Sequence, residues 1–291
     1  MKFARELFTA LDRHWTGAGK GMVRPGYSPA ESEAAALITK AGLALGMEAY
    51  NDLAGNTYLI FKGQDSTKPI LMMGSHLDAV PQGGRYDGPA GVISALTAVK
   101  YLHDQKMRPP QDICVVAWRH EEVPPFNQFA IGSKLAVSDL KPDILGRKQR
   151  ETDSLTLEDL MKKNGLDTVA LRKAMEEGKP LLPLDRIGRL IEVHIEQGSL
   201  LEEAGSSLGI VTGIRGNVRF PNMICFRGVT GHTGTVPQAK RKDAARAAML
   251  FGTKSASVCS ASSSGAGVAS RRGLENKLHS ATELIHVFLA L

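Results

Sequence analysis

Three stretches of the chain set metal-binding or proton-transferring side chains directly behind apolar runs. The first, GSHLDAVPQGGRYDG at 74–88, reads as one loop that brings His76, Asp78 and Asp87 together with four glycines after the run Pro69–Met73. The second, DICVVAW at 112–118, leads into His120, Glu121 and Glu122, and the third, Leu190–Val193, leads into His194 and then Gln197. Two imidazoles with carboxylates suit Zn²⁺ or Mn²⁺, and also Co²⁺ or Ni²⁺, but poorly suit Cu(I) or iron–sulfur chemistry. Asp78, two positions after His76, is placed to accept from the second imidazole nitrogen and fix the tautomer. Adjacent Glu121 and Glu122 cannot face one point along a strand, yet at a strand end one can bind metal while the other acts as general base. Each feature alone has a plain structural reading: a polar histidine, a solvated acidic pair, turn glycines. Their joint placement after three apolar strands is what points to a metal site.

The elements that position these residues follow from the pattern. Ser28, Pro29 and Glu31 occupy the N-cap, first-turn and N3 positions of a capping box, opening a helix that runs to about Gly46. A hairpin-like pair, Met47–Leu53 and Thr57–Phe61, turns at Gly55 and Asn56. Pro69–Met73 is a short continuous apolar run of the kind that forms a strand buried on both faces. The segment from Pro89 to about His103 reads as a helix with Val92, Leu96 and Val99 inward, and residues 139–188 are polar and helical in pattern. Alternation of strand and helix predicts an α/β domain with a largely parallel sheet and flanking helices, whose ligands sit beyond the carboxyl ends of the strands. From about residue 209 glycines punctuate β-rich sequence; Val218–Phe226 reads as an edge strand, and Gly231–Gly234 as a tight loop holding His232 before a helix at Lys242–Phe251. Residues 255–270 are Ser-rich, as in a linker, and Leu274–Leu291 reads as a short helix.

The 291 residues suffice for two domains, and 43% apolar with 23% charged residues is ordinary globular composition. The net charge of +6 comes from scattered Lys and Arg with 5% aromatics, which argues against a nucleic-acid partner. Cys114, Cys225 and Cys259 lie far apart and form no CxxC pair, which fits a reducing cytoplasm. The amino-terminal helix carries charges throughout, unlike a signal peptide, and no run is long enough to span a membrane.

GSHLDAVPQGGRYDGPAGV, the acidic pair within WRHEEVPPFNQFAIGS, EVHIEQGSLLEEAG, LGIVTGIRG, and GVTGHTGTVP followed by RKDAARAA together resemble the amidase, hydantoinase and carbamoylase family of dinuclear metal hydrolases over about residues 1–250. This family includes allantoate amidohydrolase, N-carbamoyl-L-amino acid hydrolase and β-ureidopropionase, and is related to aminoacylases and di-metal aminopeptidases, the alternative enzyme reading. The resemblance implies a di-zinc aminopeptidase-like catalytic domain at 1–208 and a partial α+β lid and dimerisation domain at 209–251. It implies two divalent ions, with His76, Asp87 as bridge, Glu122 and His194 as ligands. Glu121 is then the general base for a metal-bridged water attacking a ureido or amide carbon. His232 resembles the histidine that a dimer partner contributes to the substrate carbonyl, and Gln197 a substrate-contacting position, so the implied state is a homodimer acting on a small ureido or amide substrate. Two departures stand out. His120 replaces a small or acidic residue before the acidic pair, where it alters pocket charge. After about residue 251 the family pattern stops, and with it a fifth ligand, an implied histidine; residues 252–291 read as an atypical linker and apolar tail. A truncated or frameshifted chain, inactive or serving only as a dimerisation partner, is therefore the rival expectation.

Overall fold

The structure, a computed structural model, describes residues 2–14, 21–149, 154–212, 224–232, 234–261 and 283–289. It divides into two units, Met1–Val211 with Arg272–Leu291, and Thr212–Arg271. In the larger unit, helix α1 (Lys2–Leu11) precedes strand β1 (Met22–Arg24) and helix α2 (Pro29–Ala44). Strands β2 (Glu48–Asn51), β3 (Thr57–Phe61), β4 (Ile70–His76) and β5 (Ala79–Gly83) follow, then helix α3 (Pro89–Asp104) and strand β6 (Ile113–Trp118). Helices α4 (Ile131–Ala136), α5 (Leu157–Lys163) and α6 (Thr168–Glu176) lead to β7 (Ile187–Ile195), α7 (Leu200–Glu203) and β8 (Leu208–Ile210). The smaller unit holds α8 (Ala244–Ala261), and β9 (Glu283–Leu289) returns to the larger unit.

Seven strands form one mixed sheet in the order β2-β3-β6-β4-β7-β9-β8. Its centre is parallel, β4 pairing with both β6 and β7 and β7 with β9, while β2, β3 and β8 run antiparallel at the sides. The apolar runs expected as strands are therefore neighbours, with β4 in the middle. All six residues of β6 are buried, as a strand covered on both faces requires. One face packs Val115 and Ala117 against Leu7, Ile38, Val92, Leu96 and Val99 of the first three helices. The other packs Cys114, Val116 and Trp118 with Tyr58, Ile60 and Met72. A third cluster joins Ile131, Leu135, Leu157, Met161 and Leu171 of α4 to α6 with Tyr27 and Phe126.

Four expectations are corrected. Strand β4 continues past Met73 to His76, because Gly74 lets Val116 come close; a Cβ there would stand 1.9 Å from the Val116 carbonyl oxygen. The stretch 74–88 is not all loop, since β5 pairs antiparallel with β1. The capping box is half made: Ser28 Oγ accepts from the Glu31 N–H at 3.3 Å, but the Glu31 carboxylate turns inward to Tyr27 and His120. The tail expected as a helix is strand β9 over Glu283–Leu289, where the run ELIHVFL, rich in apolar and β-branched residues, pairs with the open side of β7 and places a strand between β7 and β8. The Ser-rich stretch is helical up to Ala261, and its remainder lies outside the described residues. Of the expected edge strand Val218–Phe226, residues 218–223 also lie outside them, and 224–226 carry no strand.

Candidate metal centre

The parallel order β6-β4-β7 sets three strand ends side by side. His76 ends β4 level with Trp118 of β6, and Met73 is level with Ile191 of β7, so three residues further His76 meets His194. Their ring centroids lie 6.1 Å apart. Asp87 arrives from the turn before α3, where Gly88 takes φ 82° and passes so near His76 that a Cβ would stand 2.6 Å from the imidazole. The result is a compact triad: the ligand atoms of His76, Asp87 and His194 all lie within 4.8 Å of one another. Asp87 Oδ1 is 3.2 Å from His194 Nε2 and 3.8 Å from His76 Nε2.

The remaining polar atoms hold this triad in one orientation. His76 Nδ1 lies 3.1 Å from the Asp78 carbonyl and 3.2 Å from Asp78 Oδ1, and His194 Nδ1 lies 2.8 Å from the Ile195 carbonyl. Each imidazole thus has its Nδ1 satisfied as a donor and its Nε2 turned toward Asp87, the nitrogen that would offer its lone pair to an ion. Gln197, itself at φ 56°, donates from Nε2 to Asp87 Oδ2 at 2.7 Å. Two ring nitrogens and a carboxylate, oriented and mostly buried, fit a divalent ion such as Zn²⁺ or Mn²⁺.

The acidic pair sits at the end of β6. Asp78 is fully buried and accepts from the backbone N–H of Glu121 and of Glu122, each at 3.0 Å, so one carboxylate orients both His76 and the acidic pair. Glu121 Oε2 reaches to 4.0 Å from His76 Nε2, with its side chain 39% exposed. Glu122 lies outside the tight triad, with Glu121 and Asp87 as charged neighbours.

Charge state follows from these contacts. Burial alone would raise the Asp78 carboxyl, but the His76 hydrogen bond and charge hold it at about 2. Burial works against protonation of His76, yet Asp78, Glu121 and Asp87 push its pKa well above the ordinary imidazole value. Burial raises Glu121 against the opposing His76 charge, and raises Glu122 to about 7, with Glu121, Asp87 and Asp78 adding repulsion. A carboxyl lifted toward neutrality is the state a proton shuttle needs.

The structure thus brings His76, Asp87, His194, Asp78, Glu121 and Gln197 together, with Glu122 beside them. His232 lies in the smaller unit, exposed, its Nδ1 accepting from the Gly234 N–H at 3.1 Å. His120, expected to alter pocket charge, is instead wholly buried, its ring 5.9 Å from Tyr27 and 5.5 Å from Phe126. Among the described residues neither of its ring nitrogens has a hydrogen-bond partner, and burial lowers its pKa. Sequence reasoning missed Glu192, which accepts from Ser75 Oγ at 2.6 Å and adds negative charge near Glu121 and His194. Period-two alternation from His194 was the signal that could have found it. It also missed Arg24, a buried cation in β1 that donates from Nε to the Leu77 carbonyl, and no local pattern marks it.

Fold and site together define an α/β protein with a candidate metal centre at the carboxyl ends of its parallel strands. A profile of peptidase family M20/M25/M40 matches residues 72–283, and the chain belongs to that family. It is 34% identical over 228 residues to an N-carbamoyl-L-amino acid amidohydrolase of Geobacillus stearothermophilus, covering 78% of this chain and 53% of that protein. It is 33% identical over 223 residues to the allantoate amidohydrolase of Escherichia coli, covering 77% and 52%. Among solved structures, an amidase of the hydantoinase/carbamoylase family from Burkholderia phymatum superposes with a TM-score of 0.66 at 27% identity, covering 86% of this chain and 58% of that one. The chain spans about half the length of the curated relatives it matches. Among the described residues no helix is long and apolar enough to cross a membrane.

Proposed function

We propose that this chain carries the site of a metal-dependent hydrolase of linear amide or ureido C–N bonds, acting on an N-carbamoyl amino acid or an allantoate-type substrate. The observation that carries this reading is the triad of His76, Asp87 and His194 with the Glu121 carboxylate beside it. The relatives' names supply the substrate class.

His76, Asp87 and His194 would hold one divalent ion, and Asp87 with Glu122 would contribute to a second. A bound ion supplies electrophilic polarisation of the carbonyl and a more acidic water. Glu121 takes a proton from the attacking water, whose oxygen bonds to the ureido carbon. Glu121 then passes that proton to the leaving nitrogen as the C–N bond breaks. For a carbamoyl substrate, one substrate and one water yield an amine, ammonia and carbon dioxide. Asp78 keeps His76 and the acidic pair in register during this exchange, and Gln197 keeps Asp87 turned toward both imidazoles. In the same reading residues 1–208 are the catalytic domain, and 209–251 a lid and dimerisation segment presenting His232 to the substrate carbonyl of a homodimer partner.

The test is ammonia release from allantoate and from N-carbamoyl amino acids after loading with Mn²⁺ or Zn²⁺, with metal per chain measured on the same sample. Turnover that disappears in Glu121→Gln at unchanged metal content supports the reading. Metal-loaded protein that releases no ammonia from either class overturns it and leaves the rival of an inactive family fragment.

A further inference from the structure

Beneath the acidic pair lies a second carboxylate that the hydrolytic reading does not use. Glu31, at the start of α2, is fully buried, and its two oxygens accept from two backbone N–H groups and form an ion pair with Arg119. Oε1 accepts from the His120 N–H at 2.9 Å; Oε2 accepts from the Tyr27 N–H at 2.6 Å and lies 2.7 Å from Arg119 Nε. Arg119 also donates from Nη2 to Ser32 Oγ at 3.1 Å and lies over the Tyr27 ring at 5.1 Å, so it too is anchored to α2 and its approach.

The partners of Glu31 stand where β6 ends. His120 adopts φ 49°, the left-handed region, and this residue turns the chain out of the strand. Its N–H goes to Glu31, and the next two, of Glu121 and Glu122, go to Asp78. Three consecutive amides are thus held by two buried carboxylates from different elements. A non-glycine residue keeps such a backbone conformation only where its surroundings over-determine it.

We propose that Glu31 is a positioning residue for the Glu121–Glu122 pair, fixing the turn at His120 so that both carboxylates face the metal triad. The role rests on the hydrolase reading for its purpose, but its geometry can be tested without turnover. Burial lifts the Glu31 carboxyl to about 7 against the opposing Arg119 charge, so its neutral form is already populated near neutral pH and the fold tolerates an uncharged residue there. Glutamine offers one acceptor oxygen for the two N–H donors and no charge for Arg119, which breaks the clamp while keeping the volume.

The experiment compares the full-length parent with Glu31→Gln by hydrogen exchange and by visible absorption after Co²⁺ loading. Exchange at the amides of 120–122 is expected to quicken at least tenfold while the β4 amides keep their protection, and the Co²⁺ band is expected to change in shape or intensity. Parent-like exchange at 120–122, or a parent-like Co²⁺ band, in folded Glu31→Gln overturns the proposal. Should that variant not fold, Glu31→Gln with Arg119→Gln removes the buried cation as well, and the same two readouts decide. Failure of the hydrolase reading shows separately, as metal-loaded parent protein that releases no ammonia while the exchange and absorption readouts stand on their own.

Discussion

The two units of this chain place histidines in opposite surroundings. In the larger one, His76 ends a strand between two parallel neighbours, is 2% exposed, and has both nitrogens directed by Asp78 and Asp87. In the smaller one, His232 lies in an exposed loop, where its imidazole accepts from the Gly234 N–H two residues away. The apolar side chains follow suit: Val92, Leu96 and Val99 are wholly buried, whereas Val229, Met249 and Leu250 are 68%, 66% and 52% exposed. A sheet makes its strand ends precise through side chains far away in sequence, while a loop flanked by an exposed helix leaves its histidine to be oriented by whatever it meets.

The sharpest way to probe that contrast is at Glu121, the proposed proton carrier. Glu121→Gln is expected to lower ammonia release by roughly 10²–10⁴-fold with metal content unchanged, as measured by initial rates and elemental analysis. His232→Ala is expected to cost roughly 10²–10³-fold in kcat if it polarises the carbonyl, while Zn²⁺ affinity in the larger unit stays at the parent value. A loss of Zn²⁺ in that variant would break the comparison, because the exposed histidine would then belong to the buried centre. Asp78→Asn is expected to weaken Zn²⁺ binding by about 10–100-fold in competition titrations, the usual cost of losing a ligand's outer partner.

Stability should show the same contrast on a smaller scale. Leu96→Ala removes a fully buried side chain and is expected to cost about 2–5 kcal/mol in denaturant unfolding. Leu250→Ala, half exposed on α8, is expected to stay within about 0.5 kcal/mol. The subtlest effect is a pH slope. Glu31 titrates near 7 in the folded chain against an ordinary value of 4.5, so the folded state binds more protons between those limits. Stability contributed by protonated Glu31 is present below pH 4.5 and lost as pH rises through 7. Melting temperatures of the parent relative to Glu31→Gln should therefore fall across that window, and parallel profiles would show that Glu31 is not held near neutrality by burial.

Much of the larger unit was legible because its cues are local. The apolar runs of β4, β6 and β7 and the inward face of α3 each fit within one element, and the site residues follow those runs directly. What was hidden depends on distant partners. Glu31 looks like half of a capping box, yet its carboxylate serves an N–H that lies 89 positions away. His120 read as altering the pocket charge because it stands where the resembled family carries a small or acidic residue, but the left-handed turn sends its ring toward Tyr27 and Phe126. The tail read as a helix because nothing in it announces the open side of β7, and pairing along that strand outweighs local preference. Arg24 carries no cue at all, since its partner is a backbone carbonyl supplied by Leu77.

The separation of the strand ends along the chain also governs when the site comes into being. Ser75 and Glu192, one and two positions before the two histidines, meet across 117 positions, and Asp87 meets Gln197 across 110. Contacts of such span form late, after the chain has met the entropy of closing long loops. A partly folded chain in which β7 has not docked lacks His194, one of the three members of the triad. If the triad binds an ion as proposed, tight metal uptake would be an assembly clock: its rate would report the docking of β7 onto β4, and an ion supplied during refolding would stabilise the finished sheet without steering the early steps.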